Sequence, residues 1–262
     1  MRTATTIRPA LNACVCGAAL VIGAITPAWA GPPFITDDPV PVDLDHWEVY
    51  LYSAGAYRQS DTSGLGPGVE VNYGAAPDLQ LHVIVNGAFN KPDGEATQAG
   101  FGDTELGTKY RFINPSEHDW YPQVAIFPLL EVPSGDAARG LGAGHVQAFL
   151  PVWIQKDWGK WTAYAGGGYW INPGAANQNY WFTDIVLGRQ VTDKLALGGE
   201  VFHQTANVIG GSASSGFNLG GVYDFTDHYH LLFSAGRGNL AYAVAGAVTN
   251  PFAYYAAFQW TF

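Results

Sequence analysis

From His46 to Phe262, stretches in which apolar residues recur at every second position alternate with clusters of Gly, Pro, Asn and Asp. A period of two marks a strand with one greasy and one polar face, and the clusters mark turns. The pattern predicts twelve strands, over 45–58, 67–74, 79–89, 101–112, 122–132, 145–156, 161–171, 181–189, 194–205, 216–225, 230–237 and 251–262. The connections alternate in length. Those at 59–66, 90–100, 133–144, 172–180, 206–215 and 238–250 are long, whereas 75–78, 157–160, 190–193 and 226–229 hold four residues each, with 113–121 the exception. Long external loops opposite short periplasmic turns are the habit of transmembrane barrels.

Parity assigns the two faces. In the fourth strand Asp103, Glu105, Lys109 and Arg111 share a face opposite Leu106, Tyr110 and Phe112. The fifth sets Gln123 and Glu131 against Val124, Ile126 and Leu130, and the sixth sets His145, Gln147 and Gln155 against Val146, Leu150, Val152 and Ile154. Alternation alone fits a soluble sandwich with its apolar face inside as well as a barrel with that face in lipid. The last strand helps to choose: Phe252, Tyr254, Ala256, Phe258, Trp260 and the terminal Phe262 form one apolar, aromatic face. Such an ending resembles the signal read by the machinery that inserts bacterial outer-membrane barrels, which implies that machinery as a partner. Trp47, Trp120, Tyr121, Trp158 and Trp161 fall near predicted strand ends, where interfacial aromatics belong.

The N-terminus strengthens this reading. Arg2 and Arg8 precede an apolar stretch from Leu11 to Ile25, and Ala28-Trp29-Ala30 offers a small-residue cleavage pattern, so residues 1–30 are expected to be a removed export signal. Both cysteines, Cys14 and Cys16, leave with it, which excludes a disulfide scaffold, a thiolate metal site and a cysteine nucleophile from the mature chain. Residues 31–44, GPPFITDDPVPVDL, carry four prolines and are expected to form an extended arm, either a plug at the periplasmic mouth or a free tail. The barrel proper is expected over 45–262.

Composition removes other classes. Twelve basic and 22 acidic residues leave no basic footprint for nucleic acid. Charged residues are only 13% of the chain, against about 25% in ordinary soluble domains. Beyond Ala30 no apolar run is long enough for a spanning helix, which leaves a closed all-β barrel as the membrane-crossing solution.

Several blocks together resemble one family: GPPFITDDPVPVDLDHWE (31–48), GFGDTELGTKYRF (100–112), FPLLEVPSGDAARGLGAG (127–144), PVWIQKDWGKWTAYAGGGYWINPG (151–174) and LLFSAGRG (231–238). They are similar to the "MetA-pathway of phenol degradation" family of Gram-negative outer-membrane proteins. The resemblance implies a barrel linked to transport; it brings no catalytic residues and no cofactor.

The expected function is passage or uptake of small hydrophobic or aromatic compounds, with a plugged structural or surface-interaction barrel as the alternative. The candidate lumen-lining residues are Glu48, Glu70, Asp103, Glu105, Lys109, Arg111, Glu131, Asp184, Glu200 and Asp224, with Arg58 as a further base. They serve either as ion pairs that brace the barrel or as a polar path that disfavours anions. Phe127, Phe149, Trp153, Phe182, Phe202 and Tyr255 share their parity and supply aromatic wall for an organic solute. Catalysis is not expected: there is no G-x-S-x-G elbow, and His203 with Ser53 or Ser234 is the nearest thing to a Ser–His pair. His228 and His230 beside Asp227 are read as solvated turn residues rather than metal ligands. GAGH (142–145) and GGG (166–168) open no helix and carry no lysine, so they are not phosphate loops.

Overall fold

The computed structural model describes residues 32–58, 61–116, 119–238 and 252–262. The expected export signal, residues 239–250 of the expected loop 238–250 and the side chain of Arg58 lie outside the described residues. The strands are β1 (Trp47–Arg58), β2 (Asp61–Ala76), β3 (Leu79–Lys91), β4 in two pieces (Gln98–Phe101 and Thr104–Ile113), β5 in two pieces (Gln123–Ile126 and Leu129–Val132) and β6 (Gln147–Trp158). They continue with β7 (Trp161–Ile171), β8 (Tyr180–Thr192), β9 (Leu195–Gln204), β10 (Ser214–Asp224), β11 (Tyr229–Arg237) and β12 (Phe252–Thr261).

Each strand pairs antiparallel with its sequence neighbour, and β12 returns to β1 with Glu48 opposite Thr261 and Tyr57 opposite Phe252. Two reciprocal bonds finish the seam, Trp47 N–H to Phe262 O at 2.8 Å and Phe262 N–H to Trp47 O at 3.0 Å. The result is a closed twelve-stranded barrel with no free edge. Outward positions such as Leu51, Val85, Leu150, Ile185, Val201, Leu219 and Phe258 are exposed apolar side chains. Inward neighbours such as Tyr50, Tyr52, Trp153, Val186 and Phe202 are buried. The greasy belt therefore surrounds a filled interior, the inverse of a water-soluble sandwich.

Aromatic pairs gather at the short-turn rim. Trp47 stacks on Tyr73 at 4.3 Å, Trp260 meets Phe262 in a tilted contact at 4.2 Å, and Trp120, in the one long turn at that end, is 89% exposed. Trp158 and Trp161 flank the turn between β6 and β7 and are exposed.

Two strands are broken where the expectation was continuous. Between the pieces of β4 the register against β3 shifts by one residue, since Gly87 faces Phe101 but Ile84 faces Glu105. That bulge at Gly102-Asp103 turns the Asp103 side chain inward, where it is buried. In β5 the gap falls at Phe127-Pro128, directly beside Pro151 of β6. Prolines lack the donor that a ladder requires, so both sit at the same missing rung, spanned by a single Phe127 N–H to Pro151 O contact of 3.4 Å.

One expectation needs correction. Residues 61–66 of the expected loop 59–66 are not loop: β2 begins at Asp61, and Thr62 to Leu65 pair with both β1 and β3. The sequence DTSGLGPG has turn composition, but pairing on both sides overrides it, and a register shift between Leu65 and Gly68 absorbs Gly66-Pro67.

The belt yields a direct test. Ile185 is 55% exposed in mid-strand and faces outward. Replacing it with arginine is expected to destabilise the barrel in phospholipid vesicles by about 2–4 kcal/mol, measured by denaturant unfolding. A change under about 0.5 kcal/mol would mean that water, not lipid, bathes this face.

Candidate functional site

The arm enters the barrel instead of resting at its mouth. Leu44 bridges to Gly74, and Asp45 N–H bonds to Gly74 O at 2.8 Å, which fixes the arm's exit at the short-turn end. Upstream residues climb the lumen and are held one by one. Val42 N–H donates to Gln80 Oε1 at 3.0 Å, and Lys109 Nζ reaches Asp37 Oδ1 at 2.8 Å with Asp38 at 3.9 Å. Glu200, 1% exposed, accepts from Thr36 N and Thr36 Oγ1, both at 2.5 Å, and from Asn218 Nδ2 at 2.6 Å. Ser234 Oγ donates to Pro33 O at 2.5 Å. Phe34 packs on Tyr164 and Val186, while Ile35 packs against the cluster of Phe127, Phe149, Trp153, Phe182 and Phe202.

Above the arm lies a cavity of about 380 Å³, bounded below by Pro32 to Asp37 and at the long-loop end by Leu141 to Ala143, Asn177, Asn207 and Val208. The loop carrying Leu141 is tied down by Asp103, whose carboxylate accepts from Gly135 N at 2.8 Å and Ala143 N at 2.6 Å. A second tie comes from Asn172, which accepts from Gln147 and bonds to Asn207 O at 3.0 Å.

The cavity has two unlike walls. One is aromatic, with Phe127, Phe149, Trp153, Trp170, Tyr180 and Phe182. Phe149 and Trp170 stack at 4.8 Å and 9°. Trp153 lies flat against the barrel because residue 166 is glycine: a Cβ there would stand 2.5 Å from the indole and 2.2 Å from Val152 O. The other wall is polar, with Glu70, His82, Asn86, Asp103, Glu105 and Glu131. His82 Nδ1 lies 2.6 Å from Asn72 Oδ1 and Nε2 lies 3.0 Å from Glu105 Oε1. Asn72 gives its Nδ2 to Glu70 Oε1 at 2.9 Å, so its oxygen faces the imidazole. Both ring nitrogens thus meet acceptors, a setting that suits the imidazolium.

The ten acids and bases named from parity do not act as one site. Glu70, Asp103, Glu105 and Glu131 border the cavity. Lys109 and Glu200 hold the arm. Arg111 pairs with Asp78 at 2.7 Å, Asp224 meets His230 at 2.7 Å, and Glu48 accepts from Tyr50 OH at 2.9 Å. Asp184 is buried on β8. His82, Asn86, Trp170 and Tyr180 were not singled out from sequence. His82 and Asn86 share inward parity with Gln80 on β3, so the alternation carried that signal.

His203 faces outward, but its nearest hydroxyl is Ser215 Oγ at 2.8 Å. Ser53 and Ser234, the serines considered from sequence, are engaged with Leu65 O and Pro33 O instead. No carboxylate is bonded to the His203 imidazole among the described residues, so the pair lacks an orienting acid. His228 turns to Thr261 O at 3.0 Å and His230 to Asp224, so the two do not converge.

No family model matches this chain, and no curated protein matches it. Among solved structures, the COG4313 outer membrane channel from Pseudomonas putida F1 is similar with a TM-score of 0.67 at 17% identity, covering 86% of this chain and 98% of that one. The KdgM porin is similar with a TM-score of 0.54 at 10% identity, covering 81% and 99%. At these identities the likeness is one of fold, that of bacterial outer-membrane barrels.

The arm's principal anchor can be removed. Glu200→Ala leaves Thr36 and Asn218 without their acceptor, at a cost of about 2 kcal/mol. Hydrogen exchange read by mass spectrometry is expected to show lost protection over residues 34–40 and retained protection over β9. Unchanged exchange in the arm would show that Glu200 does not hold it.

Proposed function

We propose that this protein resides in the bacterial outer membrane and passes small hydrophobic or aromatic compounds through its lumen, with the proline-rich arm narrowing the route. The observation that carries this reading is the cavity of about 380 Å³ at the long-loop end, with one aromatic wall and, among the described residues, no lysine or arginine in its lining. Cavities of this size with a few polar groups among apolar walls suit small organic molecules. The five sequence blocks that resemble the phenol-degradation family support the same assignment. The name of the Pseudomonas putida barrel, an outer membrane channel, supports the membrane and passage parts of the reading. Residues 1–30 act as the export signal, and the strand ending in Phe262 is the segment offered to the insertion machinery. No cofactor and no catalytic step are part of this reading. Five carboxylates in the lining, Asp37, Glu70, Asp103, Glu105 and Glu131, disfavour anionic solutes.

A second reading is favoured by the arm itself. Its bonds to Gln80, Lys109, Glu200 and Ser234 fit a permanently sealed barrel with a structural or surface role. Liposome swelling separates the two. The full barrel is expected to admit benzyl alcohol, and deletion of residues 32–43 is expected to raise its entry several-fold while benzoate stays slow. Sealed vesicles with both proteins would favour the structural barrel, and strong anion preference would contradict the passage reading.

A further inference from the structure

We infer that the short-turn rim of the barrel carries a binding site for an anionic phospholipid, whose phosphate is held by Lys160, Arg189 and Lys194. The site lies on the lipid-facing surface and does not depend on what passes through the lumen. The chain has 22 acidic residues against 12 basic, yet three exposed cations stand together here. Lys160 lies in the turn between β6 and β7, Arg189 near the end of β8, and Lys194 in the turn between β8 and β9. Gln190 N–H donates to Lys160 O at 2.8 Å, which draws the first of these turns against the end of β8.

None of the three makes an ion pair among the described residues. Lys194 Nζ reaches only Phe225 O, at 3.4 Å. The Arg189 guanidinium lies over the indole of Trp161, 5.0 Å from its centre, and donates no hydrogen bond among the described residues. One face is thereby covered while the N–H edge, the edge that pairs with phosphate, stays open for an acceptor. The acids close by do not cancel this charge. Asp157 accepts from Thr162 Oγ1 at 2.7 Å and from Gln155 Nε2 at 3.1 Å, and Asp193 is the one acid in the second turn. The other bases of this rim are spoken for, Arg111 by Asp78 and Lys156 by the carbonyls of Asp119 and Tyr121. Three free cations at a membrane surface repel one another, and an anionic headgroup relieves that repulsion.

The depth is that of a headgroup. Trp158 and Trp161, both exposed, mark this level as the interface. On β8, Arg189 follows Ile185 and Leu187 on the outward face, so its charge stands at the end of an apolar strip. On β7 beside it, Ala163 faces Leu187, and Ala165 faces both Ile154 and Ile185. These alanines make a floor lower than its flanks, which receives an acyl chain. Charge complementarity selects the headgroup: a phosphate without an ammonium beside it satisfies the cations, whereas a zwitterionic lipid brings a cation of its own. The apolar strip runs directly from the charges, which favours a lipid over free phosphate.

Native mass spectrometry of the detergent-folded full protein, titrated with phosphatidylglycerol or phosphatidylcholine of identical chains, tests the site. The first phosphatidylglycerol is expected to bind at least about fivefold more tightly than the first phosphatidylcholine. Joint replacement Lys160→Gln, Arg189→Gln and Lys194→Gln is expected to erase that preference. Lys91→Gln with Arg237→Gln, which removes two cations from the long-loop rim, is expected to keep it. Equal affinity for the two lipids in the unaltered protein overturns the site, whether or not any variant folds. So does a preference that survives the triple replacement, or one that the long-loop pair abolishes as well. Displacement of phosphatidylglycerol by millimolar inorganic phosphate would show a free-anion site and overturn the lipid assignment.

Discussion

Hydrocarbon accepts no backbone hydrogen bonds, so a sheet that meets it can leave no edge unpaired, and closure of the ladder between β1 and β12 is the constraint on which everything else depends. Ten residue pairs and the reciprocal Trp47–Phe262 bonds make that seam. Once the cylinder is shut, strand alternation has only two destinations, lipid and lumen. Every polar side chain of inward parity is forced into a narrow interior with the arm and with its opposite numbers across the barrel.

That crowding explains how the lumen charges are used. An isolated ion in such a space is too costly to keep, and most of the acids are matched to a specific donor. Glu200 holds Thr36, Asp103 holds two amides of a long loop, and Asp37 holds Lys109. The arm and the loop are thereby parts of the interior, and the space left between them is the cavity. Its aromatic wall arises from β5 to β8, where Gly166 lets Trp153 lie against the strand behind it. Its acidic wall arises from β2 to β5. The two walls are adjoining arcs of one cylinder.

Much of this was legible in the sequence because it depends on parity and on punctuation. The alternation of Glu105, Lys109 and Arg111 with Leu106, Tyr110 and Phe112 fixes which way each residue of the second piece of β4 points, and Gly and Pro clusters locate most turns within a few residues. What local pattern could not reveal depends on partners distant in the chain. DTSGLGPG forms strand because β1 and β3 lie on both sides of it. The break in β5 depends on Pro128 and Pro151 arriving at the same rung. The separation of ten candidate charges into arm holders, loop holders and cavity lining depends on Thr36 meeting Glu200, 164 residues away. Ser215 as the neighbour of His203 likewise follows from register, which periodicity alone leaves free.

Spin labels placed one at a time at positions 181 to 187 of β8, in the full protein reconstituted in phospholipid, test the closed and lipid-bathed cylinder most directly. The account predicts that oxygen collides freely with labels at 181, 183, 185 and 187 and that a water-soluble nickel chelate does not, with 182, 184 and 186 shielded from oxygen. A uniform profile, or free access of the chelate to the odd positions, would contradict it.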